Sequence, residues 1–141
     1  MNARETITDY YEALRRGEPL APYFAERPDV VKVGVFSRRV GYEDVAEGFR
    51  EQGRRTTDWT VESNDLRVHE DGGHARFFDR VDLAWTDAVD DASYAFDTRW
   101  TGTLRARAGV EGESEGETAE WAVVDMHVSA PHDRTPTADS T

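Results

Sequence analysis

Few residues in this chain have the type and spacing to do chemistry. Arg99 lies alone in an aromatic-rich run, residues 94–104. Alternation along a strand puts it with Asp97, Thr101 and Thr103 and sends Tyr94, Phe96, Trp100 and Leu104 to the other face. If the aromatic face is the outer one, Arg99 and Thr101 line a pocket and Arg99 holds an anion or polar group. Otherwise Arg99 is a surface residue, or is paired with Asp97, Asp79 or Asp125. Asp79 interrupts the apolar set Ala75, Phe77, Val81, Leu83 and Trp85. With the phenol of Tyr10 it could supply acid–base chemistry. The helix pattern itself favours reading Tyr10 as an ordinary core-edge residue of an amphipathic helix.

Asp125, His127 and Ser129 alternate opposite Ala122, Val124, Met126 and Val128. Side chains two apart on one strand point in parallel and do not seat a hydroxyl on an imidazole. No nucleophile elbow is present, and a His bonded to a carboxylate across the sheet fits better. His69, His74, His127 and His132 form neither HExxH nor a His-x-His pair, so neither a native metal nor a cofactor is expected. Asp87, Asp90 and Asp91 could weakly hold a cation but read as a solvated acidic turn.

The elements that must position these residues are legible in outline. Ile7, Tyr10, Tyr11 and Leu14 share one helical face, predicting a helix over 3–16 with Thr6 or Thr8 as cap and Gly17 as stop. A helical turn near 20–24 follows. Residues 30–36 are β-branched and predict a strand, 37–39 a turn, and 42–54 a second helix carrying Val45, Ala46 and Phe49. Four strands in antiparallel meander then run to Ser129, with a hairpin turn at 70–73. Strands as long as 93–107 require twist and bulges. Residues 109–118 are too polar and glycine-rich to pack and read as a flexible hairpin loop; 132–141 read as a disordered tail. Residues 1–131 are read as a single domain. Helices first and strands last predict an α+β fold, a curved antiparallel sheet with helices in its hollow and a cone-shaped cavity.

Composition narrows the function classes. The 141 residues carry a net charge of −12, which disfavours nucleic acid and anionic membranes as partners. Lys32 is the only lysine against sixteen arginines. Acidity with almost no lysine resembles proteins from salt-loving microbes; a high-GC genome is the alternative reading. There is no Cys, which excludes disulfides and thiolate chemistry. No apolar run approaches a membrane span, so a cytoplasmic protein is expected.

The element order over residues 3–131 resembles the nuclear transport factor two-like superfamily, which includes SnoaL-like and ketosteroid isomerase-like proteins. The residues carrying the likeness are 10–18 of the first helix, Val40-Gly41 before the second, Thr98-Arg99-Trp100, Trp121, and Met126-His127-Val128-Ser129-Ala130-Pro131. The last two strands resemble those of SnoaL-like domains and the association domain of calcium/calmodulin-dependent kinases. This resemblance implies a homodimer through the outer sheet faces and a pocket between the sheet and the helices. In the association domains, the residue matching Arg99 helps hold small carboxylates; a second pocket Arg falls where this chain has Val128. Tyr10 resembles the oxyanion-donating Tyr of ketosteroid isomerases, but the carboxylate base and the second acid of those enzymes have no counterpart near 33–36 or 100–104. The expectation is a small-molecule binding module using Arg99, Tyr10, Asp79 and Thr101. The alternatives are an isomerase-like enzyme using Asp79 and Tyr10, and a dimeric scaffold with a vestigial cavity.

Overall fold

The computed structural model describes residues 1–107 and 120–131. The expected loop 109–118 and tail 132–141, and with them His132, lie outside the described residues.

The first helix, α1 (Ala3–Arg16), keeps its apolar stripe of Ile7, Tyr10, Tyr11 and Leu14 buried against the sheet. Its cap is Asn2 rather than Thr6 or Thr8. The Asn2 side chain accepts from the Glu5 amide, and the Glu5 carboxylate accepts from the Asn2 amide. Gly17 closes the helix with φ 71°, as glycine at that place allows. A single 3-10 turn (Ala21–Tyr23) follows and leaves Leu20 and Phe24 in the core.

The expected strand at 30–36 is shorter than its β-branched run suggests. It is β1 (Val31–Val33), and after a turn at 34–37 the residues read as a turn, Arg38 and Arg39, begin a hairpin partner, β2 (Arg38–Val40). Gly41, with φ 90°, leads into α2 (Tyr42–Arg55). The remaining strands are β3 (Thr56–Ser63), β4 (Arg67–Asp71), β5 (His74–Asp87), β6 (Ala92–Ala106) and β7 (Trp121–Ser129). β3 and β4 pair with successive lengths of the same edge of β5, so they occupy one position in the meander.

The result is a curved, unclosed seven-stranded sheet in the order β2-β1-β7-β6-β5-β3, with the two helices against its concave face. It is not wholly antiparallel: β1 runs parallel to β7, Lys32 lying opposite Met126. Two bulges bend it. One lies between Thr57 and Thr60 of β3, where Asp58 takes φ 58°. The other makes Val124 the extra residue of β7. Beyond that bulge the parity of β7 changes, so Val123, not Val124 or Ala122, joins Met126 and Val128 on the inner face. On β5 the odd positions from Ala75 to Asp87 are all buried, as alternation predicts. Among the described residues, no helix is long and apolar enough to cross a membrane.

Candidate functional site

The concave face and α2 enclose a cavity of about 400 Å³. One wall is aromatic. The β3 bulge turns Trp59 onto Trp85, rings stacked 4.7 Å apart at 19°, and Tyr94 continues the stack 5.3 Å beyond. The Trp59 indole donates to Thr56 Oγ1 at 3.0 Å, which fixes its ring. Trp100 and Tyr10 lie deeper, in edge contact at 6.0 Å. The Trp100 indole donates to buried Thr98, whose hydroxyl donates in turn to the Val81 carbonyl. Phe36, two-thirds exposed on the turn between β1 and β2, touches Trp85, Tyr94 and Phe96 at the rim. Arg55 bridges Asp87 and Asp90 elsewhere on the lining. Two backbone amides and Arg55 hold the Asp87 carboxyl below the usual carboxylate range, so this acidic turn is an internal cap.

Most charged groups on the lining are paired: Arg55 with Asp87 and Asp90, and Arg39 with Glu51. Strand alternation turns Lys32 inward, beside Met126 and directly opposite Arg39 of β2. Arg39 crosses α2 where Gly48 leaves room for it and is held by Asp44 at 3.1 Å and Glu51 at 2.9 Å. Lys32 has no such carboxylate within ion-pair distance among the described residues; its amine lies 5.4 Å over the Phe49 ring. Burial, and secondly the Arg39 charge, push the Lys32 amine down to about 8. Tyr10 also lines the cavity; its hydroxyl makes no hydrogen bond within the described protein, and burial followed by the neighbouring Tyr23 raises its pKa.

The residues singled out from sequence separate in space. Tyr10 lines the cavity. Arg99 and Thr101 do not: both are exposed on the opposite, outer face, registered against Ser129 and His127. Alternation grouped them as expected, but the aromatic face is the inner one, because Trp100 packs against Tyr10 and Tyr11 of α1. Asp79 is fully buried outside the cavity, and its partner is Tyr11 rather than Tyr10. It accepts from the Tyr11 hydroxyl (2.7 Å), the Ser63 hydroxyl (2.6 Å) and the Asp65 amide (2.9 Å), and so ties α1 to the sheet. His69, His74, Asp125 and His127 are exposed. Among the described residues, no three His, Cys, Asp or Glu gather as metal ligands would. Sequence reasoning passed over Lys32. The available signal was a single lysine inside a β-branched strand, in a chain that otherwise uses only arginine.

A small curved sheet with helices in its hollow and a lined cavity defines a class before it defines a protein. A family model described as SnoaL-like domain matches residues 3–133, and the chain belongs to that family. No match was found among curated proteins. Solved structures share the fold. A nuclear transport factor two-like superfamily protein from Salmonella enterica aligns at 16% identity over 97% of this chain and 93% of its own, with a TM-score of 0.73. A ketosteroid isomerase-like protein from Erwinia carotovora aligns at 16% identity over 92% and 94%, with a TM-score of 0.70. A protein from Xanthomonas campestris, provisionally described as a calcium/calmodulin dependent protein kinase II association domain, aligns at 21% over 95% and 91%, also with a TM-score of 0.70. At such identities the likeness is one of fold.

Proposed function

We propose that this domain binds a small, largely planar organic molecule in the cavity between α2 and the sheet. The observation carrying this reading is that the cavity, about 400 Å³, stays unfilled although Trp59, Trp85, Tyr94 and Trp100 line it. A scaffold with a vestigial pocket would pack those rings into the space. The stacked wall suits a flat apolar body, and Lys32 and Tyr10 supply convergent polar groups. Three of the four tryptophans line the cavity, so binding has an intrinsic reporter. Titration of the protein in molar salt with benzoate, benzaldehyde and larger aromatic homologues is expected to give saturable quenching of tryptophan fluorescence and a raised melting temperature. Linear, non-saturating quenching by every compound, with no thermal shift, would contradict the proposal.

The same reading extends to assembly and setting. A second copy would meet the outer sheet face, where Arg99, Thr101 and His127 stand free of covering helices. The family's expected pairing supports this homodimer. The acidic, lysine-poor composition supports a salt-rich cytoplasm as the setting.

A further inference from the structure

Lys32 is in an expensive place. Its strand alternates so that Val31 and Val33 face outward with Asp125 and His127 while the ammonium group points into the hollow. Hydrophobic sorting alone would reverse that arrangement. Its cross-strand partner is a second cation, Arg39, an unfavourable pairing on one face of a sheet. Arg39 is ion-paired with Asp44 and Glu51 from α2, which leaves neither carboxylate hydrogen-bonded to Lys32. Room is kept around the amine. A Cβ at Gly34 would come within 3.3 Å of Lys32 Nζ and 3.1 Å of Ser37 Oγ. A partly buried lysine that faces an aromatic ring, lies beside a guanidinium and has no carboxylate partner among the described residues is disposed to act as a nucleophile.

We propose that Lys32 is such a nucleophile, and that its amine captures an aromatic aldehyde or ketone in the cavity as an imine. This deepens the binding reading above and rests on it. The Nζ lone pair attacks the carbonyl carbon, a C–N bond forms, and the carbonyl π pair moves to oxygen, which takes a proton. The carbinolamine then loses that oxygen as water while a nitrogen proton passes to solvent. The sum is amine plus carbonyl giving imine plus water, with no oxidant or reductant. The Tyr10 hydroxyl, free of protein partners and kept protonated by burial, is a donor for the departing oxygen. The aromatic wall of Trp59, Trp85 and Tyr94 selects a flat carbonyl compound over an aliphatic one.

The amine's reactivity is set by the groups around it. Arg39 faces it from β2, while Glu51 and Arg55 reach the cavity from α2. Tyr10 of α1, Asp87 with Asp90, and Tyr94 of β6 complete the titratable lining; β7 contributes only apolar Val128. Asp87 and Asp90 are occupied by Arg55, and Glu51 by Arg39. Burial and Arg39 bring the amine to about 8, so a substantial free-base fraction exists near neutral pH.

A single lysine makes the test clean. The folded protein in molar salt is incubated near pH 7.5 with benzaldehyde and sodium cyanoborohydride, then digested and mapped by mass spectrometry. The expected result is a benzyl adduct on Lys32, formed about tenfold or more faster than on Nα-acetyl-lysine at the same pH. Butanal should show a smaller acceleration over Nα-acetyl-lysine than benzaldehyde does. Lys32→Met should lose the adduct and keep only labelling of the terminal amine. Labelling confined to the terminal amine, or Lys32 reacting no faster than acetyl-lysine, overturns the proposal. The wild-type map decides this even if the variant does not fold. Saturable tryptophan quenching by benzaldehyde without an adduct on Lys32 overturns imine capture and leaves the binding reading standing. Absence of both overturns the two together.

Discussion

A lysine withdrawn from water favours its neutral form, and a guanidinium beside it pushes the same way. For Lys32 both act, and the folded-state value is about 8 against an ordinary 10.5. Between those values the unfolded chain binds more protons than the folded one, so stability rises with pH across the window. Below about pH 8 the full penalty applies, up to about 3 kcal/mol. Lys32→Met is therefore expected to stabilise the protein at pH 7 by about 1–3 kcal/mol and to flatten the profile from pH 8 to 10. Urea unfolding at stepped pH checks this, and parallel wild-type and variant profiles would contradict it. The buried tyrosines act in the opposite sense. Tyr10 and Tyr11 have raised values, so their contribution is fully present below the unfolded value of 10.0 and is lost as pH rises above it, from the upper end of the Lys32 window onward. The same scale shows why the residues singled out by type do not gather at the cavity. Arg99 and Asp79 look reactive as residue types, yet one is exposed on the far face and the other is saturated by three donors. Type and spacing could not tell a satisfied carboxylate from a poised one.

Element boundaries follow local rules wherever the local signal is strong. The apolar stripe and Gly17 delimit α1, and β7 occupies the run from Trp121 to Ser129 that alternation marks out. Local rules fail where long-range pairing decides. The β1–β2 hairpin forms because β7 offers an edge for parallel pairing with Val31–Val33, which no property of residues 30–40 announces. Bulge placement is likewise tertiary. Gly102 of β6 pairs with Met126 next to the β7 bulge, and the Phe77 ring lies over it. A Cβ there would stand 2.6 Å from both the Phe77 ring and the Asp125 carbonyl oxygen. Gly102→Ala is expected to cost about 1–3 kcal/mol in chemical denaturation. Phe77→Leu added to it should recover only part of that loss, because the carbonyl clash remains. A neutral Gly102→Ala would show that the sheet can shift locally.

At the scale of the whole molecule, charge sets the conditions under which the fold is held. A net charge of −12 on 141 residues repels itself at low ionic strength. The ion pairs do not offset this. Pairs such as Arg27–Asp29 and Arg50–Glu47 are exposed, so solvent screening leaves them little net contribution. Screening weakens the pairs and the repulsion alike, and the excess of one sign lets repulsion outweigh the pairs. Unfolding midpoints are therefore expected to rise from low to molar potassium chloride, by thermal melts at constant protein concentration. Midpoints that fall with salt would contradict the salt-adapted reading.

The sequence alone determined the two helices and the long strands: the helix stripe, the alternation and the glycine stop are properties of neighbours along the chain, and neighbours are what a sequence lists. It also determined most of which residues share a face, since alternation is local; the β7 bulge is the exception, placing Val123 rather than Ala122 or Val124 with Met126 and Val128. Which face becomes the inside is a different matter. That depended on where α1 laid its tyrosines, and it put Trp100 within and Arg99 without. The same packing carried the lone lysine of an outwardly ordinary strand into an aromatic cavity, because the edge that captured β1 comes from the far end of the chain.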